Sequence, residues 1–210
     1  MYRPANETFL TSPDGDKRVP NQFCKAAGKL AEALAVTGFT PRSGRVAIDV
    51  GAAPGGWTQI LAQRMQLVIA VDPAELHPEV QAMPNVRHIQ KMSQDSVEDV
   101  AHALKQNSNQ GEPNSTTTTI TTETNAVADL LVCDMNRHPD QALEILSPLF
   151  EALCPGGLCV WTLKFRGKAR RKEQEDKAVK GIEEAGFENV KVYWFLANTQ
   201  HERTVVATKK

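Results

Sequence analysis

The chain has 210 residues, 41% of them hydrophobic and 23% charged, which fits one globular domain with a core of ordinary size. Its net charge of −1 recommends neither nucleic acid nor membrane in bulk, so an anionic partner would need a local basic patch. No apolar run approaches the roughly 18 residues that would suggest a bilayer span.

Residues 1–20 carry three prolines and no signal core, and read as a loose leader ahead of a domain over 21–210. Helical spacing of Ala and Leu runs from Asn21 to about Val36, with Gly38 as its stop. A short apolar strand covers 45–50, a glycine-rich turn 51–56, and a helix Trp57 to Met65. Strands follow at 67–72 and, more weakly, 85–90, then a helix at 96–106. The Thr/Asn-rich stretch 107–125 has too little apolar surface to order itself, and reads as a flexible insertion or, alternatively, a Thr-rich edge strand. Beyond it lie a strand at 128–134, a helix at 140–153, a PGG turn, a strand at 158–165 and a charged helix at 172–186. Strands at 190–197 and 203–209 close the chain. This alternation predicts an α/β, Rossmann-like fold with a mostly parallel sheet. The last two strands, joined only by NTQHE, must form an antiparallel hairpin, because so short a link cannot cross over. The four cysteines (Cys24, Cys133, Cys154, Cys159) form no CxxC pair and read as free thiols in a reducing, cytosolic setting, with the nucleus or an organelle left open.

The segment DVGAAPGGWTQIL, residues 49–61, places glycines at the end of the first strand, where a ligand can approach bare main chain and a helix N-terminus. Asp49 and Asp72 flank it, the second placed to accept from ribose hydroxyls. A dinucleotide GxGxxG loop would need glycine at Ala53, and Pro54 removes a donor that a pyrophosphate would want. An adenosine without a phosphate fits better, which points to S-adenosyl-L-methionine (SAM).

This loop resembles that of the FtsJ-type RNA ribose 2′-O-methyltransferases. With KLAEAL, VDPAEL, LLVCDM, PGGLCVWTLK and HERTVVA in order over about 23–208, the chain is similar to the FtsJ-like domain of the RlmM branch, which methylates a cytidine ribose in large-subunit ribosomal RNA. The resemblance implies a class I SAM-dependent methyltransferase fold and a Lys-Asp-Lys-Glu catalytic set. Asp134 in LLVCDM, Lys164 in VWTLK and Glu202 in HER match three of the four. CKAAGKL offers Lys25 or Lys29 for the first lysine, and the family phrase favours Lys29. The antiparallel last strand begins at the edge where the parallel strands end, so these groups are expected to converge, with Lys164 as the base for a ribose hydroxyl. For the cofactor the candidates are Gly51, Ala52, Pro54, Gly55, Gly56, Trp57, Asp72 and Asp134. Trp57 could equally be a core residue, and Asp95 is a weaker candidate, with Met92 or Ser93 able to take its place.

KFRGKARRK, residues 164–172, holds six basic residues in nine and is expected to contact RNA backbone, helped by Arg3, Lys17, Arg18, Arg42 and Arg45. His201 reads as a local hydrogen-bonding residue, with no metal site expected. The separate RNA-binding domain of longer family members is not expected within these 210 residues. The rival readings are a non-catalytic SAM-binding scaffold for RNA or protein, which need not keep all four residues, and a small-molecule O-methyltransferase, which the basic stretch disfavours.

Overall fold

The computed structural model describes residues 27–39, 45–108, 127–167 and 170–210. In chain order the elements begin α1 (Ala27–Thr37), β1 (Val46–Val50), α2 (Gly56–Ala62), β2 (Leu67–Val71), α3 (Pro78–Gln81), β3 (Val86–Ile89) and α4 (Val97–Ser108). They continue with β4 (Ala128–Cys133), α5 (Pro139–Leu146), β5 (Leu153–Lys164), α6 (Arg171–Glu184), β6 (Phe187–Tyr193) and β7 (Glu202–Lys209). The expected leader lies outside the described residues, as does the expected insertion beyond Asn107 and Ser108, which close α4.

The strands form one seven-stranded sheet in the order β3-β2-β1-β4-β5-β7-β6. β7 runs antiparallel to β5 and β6, and the other pairings are parallel. β1 is buried along its whole length, as expected of a parallel strand covered on both faces. Val46, Ile48 and Val50 face a core shared with Val100, Leu104, Leu146 and Ile182 of α4, α5 and α6. Ala47 faces the opposite core, built with Leu30 and Leu34 of α1 and Trp57 and Leu61 of α2. Helices therefore cover both faces of the sheet.

Three expected boundaries move by four residues or more. The helix expected over 140–153 ends at Leu146 and continues as a 3₁₀ turn over Ser147–Ala152, because Pro148 has no amide to extend the α ladder. β5 then begins at Leu153, with the PGG residues inside a strand whose register against β4 shifts between Ala128 and Leu130. β6 ends at Tyr193, four residues before its expected end, and its link to β7 spans 194–201. Here Asn198 accepts the Phe195 amide at 2.9 Å, and Glu32 of α1 accepts the Leu196 and Ala197 amides at 2.8 and 3.0 Å. Those amides leave the ladder for side-chain acceptors. Cys133 and Cys159 are buried free thiols, and burial pushes the Cys159 thiol up to about 12, which leaves it inert. Among the described residues, no helix is long and apolar enough to cross a membrane.

Candidate active site

The chain leaves β1 through a turn over 51–55 before α2. Gly51 and Gly55 have φ of 78° and 113°, where a side chain is strained and glycine is not. A Cβ on Gly51 would stand 2.6 Å from Met135 Cγ, and one on Gly55 2.9 Å from a Val80 methyl. The turn is thus pressed between the residues after β4 and α3. The Gly51 amide donates to the Val71 carbonyl and the His77 amide to the Pro54 carbonyl, both at 2.9 Å. Asp72, just past β2, accepts the Ala53 amide on Oδ2 at 3.1 Å and the Ala74 amide on Oδ1 at 2.8 Å. Each carboxylate oxygen keeps a lone pair for a ligand hydroxyl.

Beside the turn is a cavity of about 350 Å³ lined by Gly51, Ala53, Asp72, Ser93, Asp134 and Met135 among others, large enough for a nucleoside. It stands where the strand order reverses, with β2 on one side of β1 and β4 on the other, the usual ligand position of an open α/β sheet. Its lining suits SAM better than a dinucleotide. Asp72 can accept from ribose hydroxyls, Met92, Met135 and Ile145 offer apolar surface to a base, and the Ala53 amide, which a pyrophosphate would want, is already bound to Asp72. Asp49 lies behind the turn, 1% exposed, and accepts from Thr58 Oγ1 at 2.6 Å. Burial pushes its carboxyl up to about 7.

Four ionisable side chains meet at the same edge. Lys164 and Glu202 are register partners at the end of β5 and the start of β7, while Asp134 follows β4 directly. Lys29 reaches in from α1, 3% exposed, and donates to Asp134 Oδ1 at 2.9 Å and Glu202 Oε1 at 3.3 Å. Lys164 Nζ stands 3.0 and 3.6 Å from those same two oxygens. The result is a square of alternating charge in which each carboxylate oxygen serves both ammoniums. Burial pushes the Glu202 carboxyl up, but the Thr199 amide and the two lysines outweigh it and hold the pKa below its ordinary value. A second cavity, about 200 Å³, lies against Lys164 and is lined also by Asn136, Arg137, His138, Phe165 and Arg166. Asn136 and Arg137 line both cavities, so Asp134 opens on one and Lys164 on the other.

Of the residues expected at the cofactor, Gly51, Asp72 and Asp134 line the first cavity. Trp57 does not. It is 3% exposed and packs in the core with α1, the alternative that the sequence left open. Ala52 packs with Ala70 and Val80, and Pro54, Gly55 and Gly56 shape the turn without lining the cavity. Asp95 also stands outside it: the 3₁₀ turn over Ser93–Asp95 aims Met92, Ser93 and Gln94 into the cavity and Asp95 toward an exposed depression beside Glu98 and Asp99. Lys25 lies outside the described residues, as do Arg3, Lys17, Arg18, Arg42 and Lys168. Arg45 pairs with Asp129 at 3.2 Å just ahead of β1, at the sheet edge opposite the tetrad, and so does not extend the basic stretch. Within that stretch Arg166 lines the second cavity, whereas Lys172 turns to Asp176 at 2.7 Å. His201 hydrogen-bonds locally through its main chain, its amide donating to Thr199 Oγ1 at 3.3 Å and its carbonyl accepting the Phe165 amide at 2.9 Å, while its ring Nδ1 is buried without a hydrogen-bond partner. Sequence reasoning missed Ala53, which sits inside the loop motif but has no polar side chain to single it out, Gln94 and Arg137, which carry no motif of their own, and Glu32, whose partners are 164 and 165 residues away. Among the described residues, no group of three or more His, Cys, Asp or Glu is placed to hold a metal.

Comparison with known proteins gives this geometry a family. Over 167 residues the chain is 26% identical to the uncharacterized protein MJ1257 of Methanocaldococcus jannaschii, covering 77% of this chain and 40% of that protein. It is 42% identical over 73 residues to the ribosomal RNA large subunit methyltransferase M of Marinobacter nauticus, covering 31% of this chain and 20% of the relative. The chain thus matches less than half the length of either relative. Among solved structures, the fold is similar to the fibrillarin pre-rRNA processing protein of Methanococcus jannaschii, with a TM-score of 0.62, 16% identity and coverage of 95% and 86% of the two chains. It is also similar to fibrillarin from Aeropyrum pernix with natively bound SAM, with a TM-score of 0.57, 20% identity and coverage of 87% and 76%. The FtsJ-like methyltransferase model matches residues 23–210, nearly the whole sequence and the whole of the site just described, and the chain therefore belongs to the FtsJ-like methyltransferase family.

Proposed function

We propose that this chain is a SAM-dependent RNA methyltransferase acting on a ribose 2′-hydroxyl, with ribosomal RNA as its substrate. The observation that carries the reading is the charge square set between two cavities, with Asp134 lining one and Lys164 the other. When bound, SAM supplies a methyl group on a positively charged sulfur. Asp72 would hold the cofactor ribose, and the Gly51 turn would let it approach the main chain. On the other side Lys164 faces the substrate and, once its ammonium has passed a proton to solvent, would accept the proton of the substrate hydroxyl at Nζ as the methyl group is transferred to the oxygen. Asp134 and Glu202 orient the amine, and Lys29 keeps those two carboxylates in place. Arg137 and Arg166 put positive charge beside the second cavity, where a phosphodiester would lie. A 2′-hydroxyl is a poor acid, so a positioned base and a constrained oxygen–methyl geometry are the useful contributions.

The test is transfer of labelled methyl from SAM to rRNA-enriched RNA by the native chain and by Lys164→Ala. Label that resists alkaline cleavage at one nucleotide, and is lost in the variant, supports the reading. A Lys164→Ala chain that methylates at the native rate refutes the role of Lys164. Cofactor binding without transfer to any RNA favours the non-catalytic scaffold.

A further inference from the structure

Among the described residues the exposed large apolar side chains are Trp194 and Leu196, 63% and 66% exposed. Both lie in the link between β6 and β7. β6 is parallel to β1–β5, so this link leaves the sheet at the edge that carries the tetrad. It stands two strand spacings from β5, about 10 Å. The link is also held firmly. Glu32 binds two of its amides, Asn198 another, and Glu202 accepts the Thr199 amide at 3.0 Å.

The Trp194 ring is backed on one face by Arg203, whose guanidinium carbon lies 4.4 Å from the ring centroid. Arg203 is anchored by its own bond to the Glu202 carbonyl at 2.6 Å and lies 3.7 Å from Glu175. Arg171 stands close enough to depress the Arg203 pKa, an effect second to that of burial. Arg171 Nε and Nη2 are buried without a hydrogen-bond partner. Arg203, 3.7 Å from Glu175 and near enough to Arg171 to feel its charge, puts a cation against one face of an indole that is 63% exposed. A flat π surface backed by a cation matches a nucleotide, its base on the open face of the ring.

We propose that Trp194 is the stacking platform for a base of single-stranded RNA flanking the target ribose, so that it sets where along a strand the tetrad acts. This rests on the RNA reading of the site. Trp57 and Trp161 are 3% and 1% exposed, so acrylamide quenching of tryptophan fluorescence reports on Trp194. Saturating oligoadenylate should shield the ring from acrylamide. Trp194→Ala should weaken RNA binding by about 5- to 150-fold, the range of one base–aromatic stack, and raise KM for RNA more than it lowers kcat. Trp194→Phe should keep most of the binding, and both variants should bind SAM as the native chain does. RNA bound with Trp194 still open to acrylamide, or bound equally well by Trp194→Ala, overturns the platform and leaves the RNA reading standing. Shielding that grows with protein concentration in the absence of RNA places a second copy on this face and also overturns it. No RNA binding by the native chain sinks the RNA reading and the platform with it.

Discussion

Lys29 and Lys164 touch the same two carboxylate oxygens, yet burial separates their roles. Lys29 is 3% exposed, and Lys164 has a side chain 22% exposed beside the second cavity. Removing a buried member of an ion pair leaves its partners uncompensated, at about 3–5 kcal/mol. Lys29→Ala should therefore lose both activity and a large part of the folding stability. Lys164→Ala should lose transfer by about 10²–10⁴-fold, the usual contribution of a general base, with little change in melting. Thermal melting and single-turnover transfer on the two variants distinguish these outcomes. Asp49 makes a separate prediction. Its carboxyl is raised from 3.8 to about 7, so the folded chain binds more protons there than the unfolded one between those values. Stability should then fall as pH rises from about 4 to about 7, by up to about 1.4 kcal/mol per pH unit, and level off above. Asp49→Asn should flatten that slope in urea unfolding measured across the range; an unchanged slope would mean that Asp49 is ionised at neutral pH.

At the level of elements, α1 reaches the tetrad by close approach to the β6–β7 link. A Cβ on Gly28 would come 2.9 Å from Ala197 Cβ, so α1 rests on that link through bare backbone, one residue before Lys29. Gly28→Ala gains up to about 1 kcal/mol of helix propensity against a strain of about 1–3 kcal/mol from overpacking. Stability should therefore fall by about 0–2 kcal/mol. Transfer should fall by up to about 10²-fold, because a displacement of about 1 Å is enough to spoil catalytic geometry. Full activity in Gly28→Ala would show that α1 can shift without carrying Lys29 off its carboxylates. The strand and helix alternation of this region was legible from periodicity. The close approach was not, because Gly28 and Ala197 are far apart in sequence and no local pattern relates one to the other.

For the whole molecule, cofactor binding should register as global stability, since the cavity draws on the ends of β1, β2 and β4. A ligand at 100 times its Kd adds about 2.7 kcal/mol, which for a chain of this length raises Tm by about 5–10 °C. SAM should produce such a shift, and Asp72→Ala should remove most of it, because Asp72 both lines the cavity and ties down Ala53 and Ala74. A full shift in Asp72→Ala would place the cofactor elsewhere.

By itself the sequence determined the layered α/β fold and the hairpin, because hydrophobic periodicity and loop length act locally along the chain, while the four charged residues were singled out by the family resemblance, with Lys25 or Lys29 open for the first. It also placed Asp134, Lys164 and Glu202 at one edge, since strand direction fixes which ends coincide. Only the tertiary structure decided that Lys29 joins them, that Trp57 belongs to the core and Asp95 outside the cavity, and that Trp194 stays open to water. Each of those depends on which face a side chain presents and what packs against it, and neither is a property of a local stretch of chain.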